Sequence, residues 1–162
     1  LCDRVDSSIM ATPINRETVT QAILKGKRVH KLTFSQIAGA IGRNKVWTAA
    51  AILGQHPMTA DEAEKILNIV GIGSNAEYIS LLQEIPSRAH PSVLNKNDPT
   101  IKRLQEVVDV YGPSIKAITH ELCGDGIVSA IDCIIDVNKK EDPKGDRVVI
   151  TIDGKFLKYQ PW

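Results

Sequence analysis

The sequence predicts an α+β protein: an N-terminal helical bundle with a helix-turn-helix-like layout, then a C-terminal unit of two helices and an antiparallel β-meander. Three observations lead there. Between residues 15 and 86, apolar residues recur at helical spacing in five short segments, each opened by a capping residue. After Gly126 the spacing drops to period two, with turn residues between the runs. Between these regions, residues 87–97 are irregular and polar with Pro91 among them, and they read as a linker. Residues 1–14 show no period and read as a disordered tail, which leaves 98–162 as the second unit.

Asn15 is a suitable cap for a helix running to about His30, with Val19, Ala22, Ile23 and Val29 on its apolar stripe. Thr33 or Ser35 opens a short helix, FSQIAGAI, that stops at Gly42. A second short helix spans about Asn44–Leu53 and ends at Gly54. Thr59 caps the next, and Glu62 stands three residues on as its capping-box partner. Asn75 opens AEYISLLQEI, which Pro86 closes. In the second unit Asp98-Pro99 pairs a cap with a proline at the first helical position. That helix is expected to reach Tyr111, with Gly112-Pro113 starting another that Gly124 ends. Cys133, Ile135 and Val137 then alternate with Asp132, Asp136 and Asn138. EDPKGD reads as a turn, RVVITI as a strand, and Asp153-Gly154 as a hairpin leading into KFLKY. A lone meander of this size is marginal, so self-association is expected.

Composition narrows the function. The 162 residues are 43% hydrophobic and 24% charged, enough for one sizeable core or two small ones. A net charge of +1 argues against a body built to bind polyanions, and 4% aromatics against stacking platforms for single strands. No run approaches the roughly 18 apolar residues that span a bilayer, and no secretory signal opens the chain. Cys2, Cys123 and Cys133 lack metal-ligand spacing, and the four histidines form no H-x-x-x-H pair. A metal centre is therefore not expected, and a reducing, cytoplasmic setting is. Because the chain begins at Leu1 rather than Met, an organelle-targeting leader is left open.

The charge is unevenly spread. Arg16, Lys25, Lys27, Arg28, Lys31, Arg43 and Lys45 stand against Glu17 alone between residues 16 and 45. Together with FSQIAGAIGRNKVWTAAAILG this suggests a DNA-binding regulator whose C-terminal unit dimerises it. A reading helix should offer Arg, Lys, Asn or Gln to base edges. This one offers Asn44 and Lys45, then Trp47, Thr48 and three alanines. Thr48 also stands where helix-turn-helix folds commonly carry a larger apolar residue. A stable helical bundle is the better reading, with residues 25–31 a solvated basic face and no nucleic acid as partner.

On a helical wheel at about 100° per residue with Ile101 at 0°, Arg103 falls near 200°, inside the apolar arc between Val110 and Val107. Glu106 lies at the edge of that arc, near 140°. The wheel thus expects a buried or half-buried guanidinium one turn from a carboxylate. Such a group needs an anionic partner: Glu106, or a bound anion held in two-point fashion. GDGIVSAI is the other irregular place. Two glycines allow close backbone approach, and Ser129 brings a hydroxyl with no G-x-S-x-G elbow, so an acyl-enzyme serine is not expected. His120 and Cys123, nearby in sequence, read as ordinary helix positions.

The segment from DPTIKRLQEVV through GDGIVSAI to KYQPW resembles the C-terminal domain of the cyanase family, the cyanate hydratases or cyanate lyases. IAGAIGRNKVWTAAAILGQHPMTADEAEKI resembles that family's N-terminal helical domain, so the likeness runs from about Asn15 to Trp162. The resemblance implies that cyanate and bicarbonate condense to carbamate, which decarboxylates, giving ammonia and carbon dioxide. It implies catalytic roles for Arg103, Glu106 and Ser129, with bicarbonate as co-substrate and neither metal nor organic cofactor. It also implies homodimers assembled into a homodecamer with sites between subunits, making 98–162 the catalytic and oligomerisation domain. An oligomer with a vestigial site is the remaining alternative.

Overall fold

Capping chemistry sets the boundaries of the first five helices in the computed structural model, which describes residues 14–88 and 97–162. All but the last residue of the expected tail and most of the expected linker therefore lie outside the described residues. Helix α1 (Arg16–Val29) starts where Asn15 Oδ1 accepts the Thr18 N–H at 2.9 Å. Helix α2 (Phe34–Ile41) opens on a capping box between Thr33 and Gln36 and stops at Gly42, whose φ of 68° is left-handed. Asn44 caps α3 (Lys45–Ile52), Thr59 and Glu62 cap α4 (Ala60–Ile69), and Asn75 caps α5 (Ala76–Gln83).

These helices enclose one core. Val19 and Ile23 of α1, Ile37 of α2, Ile52 of α3, Ile66 and Leu67 of α4 and Leu82 of α5 are all fully buried. Each such side chain contributes about 1.5–3 kcal/mol by leaving water. Thr48 is fully buried as well, its hydroxyl donating to the Asn44 carbonyl at 2.9 Å, so a threonine fits where a hydrocarbon was the usual choice. Arg16 ties the bundle together by donating to the carbonyls of Ala51 at 2.6 Å and Leu81 at 2.9 Å.

The second unit departs from expectation in three ways. First, Pro99–Cys123 is a single 25-residue helix, α6, with Pro113 inside it. The proline removes one backbone donor. At this exposed site the freed Asp109 carbonyl is open to water, and the helix continues through Gly112-Pro113. Asp98 caps it as expected, accepting from Thr100 N–H at 2.8 Å and Ile101 N–H at 3.1 Å. Second, the described residues form no three-stranded meander. Strands β1 (Gly126–Lys140) and β2 (Arg147–Lys158) form one two-stranded antiparallel hairpin around the EDPKGD turn. Asp153-Gly154 lies within β2, opposite Ile134 and Cys133, and is no turn. Third, no residue of α6 is buried, so the expected burial of Arg103 does not occur within one chain. Ile101, Leu104, Val107, Val108 and Tyr111 are exposed too, because nothing in the described chain covers that stripe.

The bundle meets the hairpin where α3 lies on β1. Lys45 Nζ donates to Asn138 Oδ1 at 2.7 Å and sits 3.2 Å from Asp136 Oδ1.

Candidate functional site

Helix α6 presents Arg103 and Glu106 one turn apart, and the guanidinium Nη1 donates to Glu106 Oε2. Both side chains are more than half exposed. The carboxylate fixes the guanidinium's orientation while leaving most of its five donors unspent. Beside the pair is a shallow depression of about 200 Å³, lined by Ile101, Lys102, Gln105, Glu106 and Asp109. One helix supplies every one of those residues, so the depression has no opposing wall of its own.

Ser129 is built differently. The hairpin register runs from Lys140↔Arg147 to Cys133↔Gly154, then resumes at Val128↔Phe156. Residues 129–132 of β1 therefore face Lys155 alone, and the extra length bulges out. Ser129 opens this bulge and closes it internally: its Oγ accepts the Asp132 N–H at 2.9 Å and the Ile131 N–H at 3.2 Å. A hydroxyl has two acceptor lone pairs and one proton. With both lone pairs engaged, Ser129 is left as a donor, and accepting two bonds polarises its O–H further. Such a hydroxyl suits an anion and is poorly disposed for nucleophilic attack. Ser129 and Gly126 are also the buried residues of the described second unit, in which nearly all else is open.

Two features near the serine read otherwise from sequence, His120 as an ordinary helix position and Gly154 as a turn residue. His120 Nε2 lies 3.2 Å from the Gly126 carbonyl, joining the end of α6 to the start of β1. Its signal was only its closeness in sequence to GDGI. Gly154 packs across the hairpin against Val128 and Ser129, which its reading as a turn residue concealed.

The structure joins Arg103 to Glu106, but among the described residues no hydrogen bond or ion pair joins either of them to Ser129. A cleft of about 520 Å³ lies elsewhere, in the bundle, lined by Arg16, Thr20, Leu24, Leu53, Leu81 and Ile85 among others. It shares no residue with the three candidates, and its arginine is engaged with backbone carbonyls. Among the described residues no group of three or more His, Cys, Asp or Glu is placed to hold a metal ion. No described helix is long and apolar enough to cross a membrane.

The helix-turn-helix layout of α2 and α3 does not leave a free reading surface. Lys45 is turned onto Asp136 and Asn138. Arg43 donates to Glu62 at 2.6 Å and lies over the Trp47 ring, 5.0 Å from its centre. Burial alone would push the Glu62 carboxyl up, but hydrogen bonds from Thr59 and Arg43 override this and hold it below its ordinary value.

Comparison with known proteins is consistent over both units. The chain matches the family description "Cyanate lyase C-terminal domain" over residues 93–161 and "Cyanate hydratase, N-terminal" over residues 16–86. A protein named cyanate hydratase from Laccaria bicolor is 48% identical over 147 residues, which is 88% of this chain and 87% of the relative. Another of that name from Pseudomonas syringae pv. tomato is 43% identical over 157 residues, 96% of this chain and 98% of its own. The crystal structure of cyanase from T. urticae superposes with a TM-score of 0.77 at 41% identity, covering 86% of this chain and 96% of that one.

Proposed function

The chain belongs to the cyanate hydratase family and is a lyase acting on cyanate, and from that premise we propose a bicarbonate-dependent reaction through carbamate, in an anion site assembled between subunits. A bicarbonate oxygen attacks the electrophilic carbon of cyanate, the nitrogen collects protons, and loss of one carbon dioxide leaves carbamate. Carbamate then releases ammonia and the second carbon dioxide. Two protons are consumed overall.

The observation that carries this reading is the oriented Arg103–Glu106 pair on an apolar helix stripe that one chain leaves uncovered. Two monoanions held about 4 Å apart repel by about 4 kcal/mol at an effective dielectric near 20. A guanidinium offsets that repulsion and orients the pair, which is the entropic part of catalysis. Glu106 positions Arg103. Ser129 donates a hydrogen bond to one anion through its hydroxyl, with backbone N–H groups near Gly126 beside it. No metal or organic cofactor enters this scheme.

The uncovered surface supports the assembly. Ile101, Leu104 and Val107 on α6 and Ile131, Val148 and Ile152 on the hairpin are large apolar side chains left in water by a single chain. In our reading other copies cover them, as homodimers within a homodecamer, and bring a partner's serine to this chain's arginine. The apolar surroundings then strengthen the electrostatics of the site. Cys123 and Cys133 are free thiols, which suits a cytoplasmic setting.

The test is ammonia release from cyanate with and without bicarbonate, on the intact protein and on Arg103→Ala, Glu106→Ala and Ser129→Ala variants that still assemble. Release that requires bicarbonate and collapses in the variants supports the scheme. No release from the unaltered protein ends it.

A further inference from the structure

Gly154 occupies a place in β2 where its backbone does not require a glycine. Its φ is outside the left-handed region, and the strand runs straight through it. What it supplies is space. A Cβ there would stand 2.5 Å from Val128 Cγ1, 2.8 Å from the Ser129 carbonyl oxygen and 3.6 Å from Cys133 Cβ. Those atoms belong to the residues that bracket the bulge and to the serine that opens it. Val128 is about half exposed and can turn away. The Ser129 carbonyl is backbone and cannot. Its movement would carry the hydroxyl along, because Ser129 Oγ is tied to the Ile131 and Asp132 N–H groups of the same bulge.

We propose that Gly154 is a positioning residue for Ser129: its missing side chain lets β2 close on the bulge and fixes where the hydroxyl proton points. The proposal rests on the reading of Ser129 as the anion-binding hydroxyl. A displacement of about 1 Å in a donor aimed at a reacting anion is enough to cost about 10- to 100-fold in rate.

The experiment is a double-mutant cycle on the assembled protein, with ammonia release from cyanate and bicarbonate as the readout. Gly154→Ala is expected to lower kcat about 10- to 100-fold while assembly and secondary structure stay as they were. Ser129→Ala is expected to be slow, and the double variant no slower than Ser129→Ala alone, since a residue acting through the serine has nothing left to position. Unchanged kcat in Gly154→Ala, or losses that multiply in the double variant, would overturn the proposal. Full activity in Ser129→Ala would instead remove the reading of Ser129, and the proposal with it. If Gly154→Ala does not assemble, the cycle is run with Val128→Ala added, which of the two close contacts retains only that with the Ser129 carbonyl. Failure of that variant to assemble assigns Gly154 to folding and overturns the proposal.

Discussion

Replacing Arg103 with alanine separates a surface ion pair from a catalytic one, because the structure sets how little stability is at stake. The Arg103 and Glu106 side chains are 78% and 56% exposed and stand three residues apart on one helix. A pair of that kind contributes about 0.2–0.5 kcal/mol. Alanine is also the better helix former, which recovers part of the loss. Within a single chain the stability of α6 therefore changes by less than about 0.5 kcal/mol, far too little to empty the folded state of the protomer. Loss of a charge that stabilises a developing dianion costs at least about 2.7 kcal/mol, or about 100-fold in kcat/KM. The assay is the initial rate of ammonia release, with sedimentation and circular dichroism on the same preparation. Arg103→Ala is expected to fall at least about 100-fold with both physical measures unchanged. Arg103→Lys restores charge without the planar fork and should fall between the two. An Arg103→Ala protein within about threefold of the unaltered rate would refute the reasoning and leave the pair as a surface contact.

Glu62→Gln should destabilise the bundle by about 1.5–3 kcal/mol through the lost charge-assisted bond from Arg43. Since the folded carboxyl lies below its ordinary value of 4.5, its contribution is present above that value and is lost as pH falls through the folded one. The difference in Tm between the two proteins should therefore shrink from pH 7 to pH 3, and a constant difference would place its origin elsewhere. Gly26→Ala puts a Cβ against the Val70 carbonyl and 2.9 Å from Val70 Cβ. Overpacking of about 1–3 kcal/mol should outweigh the gain in helix propensity, so Tm falls; a higher Tm would contradict the close packing of α1 on the end of α4. Val107→Glu places a charge on the open stripe of α6 and should shift sedimentation to smaller species, whereas an unchanged sedimentation coefficient would remove that stripe from the interface. Neutralising Lys25, Lys27 and Arg28 together should leave ammonia release intact, and salt-dependent duplex binding that this change weakens would revive the DNA-binding reading.

Local signals in the sequence were sufficient for the bundle and not for the second unit. Asn15, Thr59, Asn75 and Asp98 each cap the helix expected of them, and Asn44, expected as the first helical residue, is a cap too, because a cap depends on atoms within three residues. Pro113 and Asp153-Gly154 misled for the opposite reason. A proline marks a break only if the backbone group it frees is not made good, and here the freed Asp109 carbonyl lies at an exposed site open to water. An Asp-Gly pair marks a hairpin only if the chain must reverse there. Here the reversal is already made by the EDPKGD turn, and the glycine serves an approach from the neighbouring strand. That approach depends on Val128 and Ser129, about 25 residues away, and no local pattern reveals it.

The helical wheel of α6 failed in a more useful way. It placed Arg103 within an apolar arc and therefore expected it under cover, yet the chain leaves the arc open. A wheel reports which residues share a face, and it is silent on whether the covering surface comes from the same chain. Sequence pattern and single-chain structure agree once that cover is supplied by another copy, which is what the proposed site requires. On that reading, the pair on α6 and the hydroxyl on β1 are each complete in orientation and incomplete in partners. Glu106 holds the guanidinium, two backbone N–H groups hold the serine oxygen, and among the described residues the serine proton and the remaining guanidinium N–H groups meet no acceptor. A donor fixed on one chain and a cation fixed on another can close on two small anions without either moving, and that economy of reorganisation is the source of electrostatic catalysis.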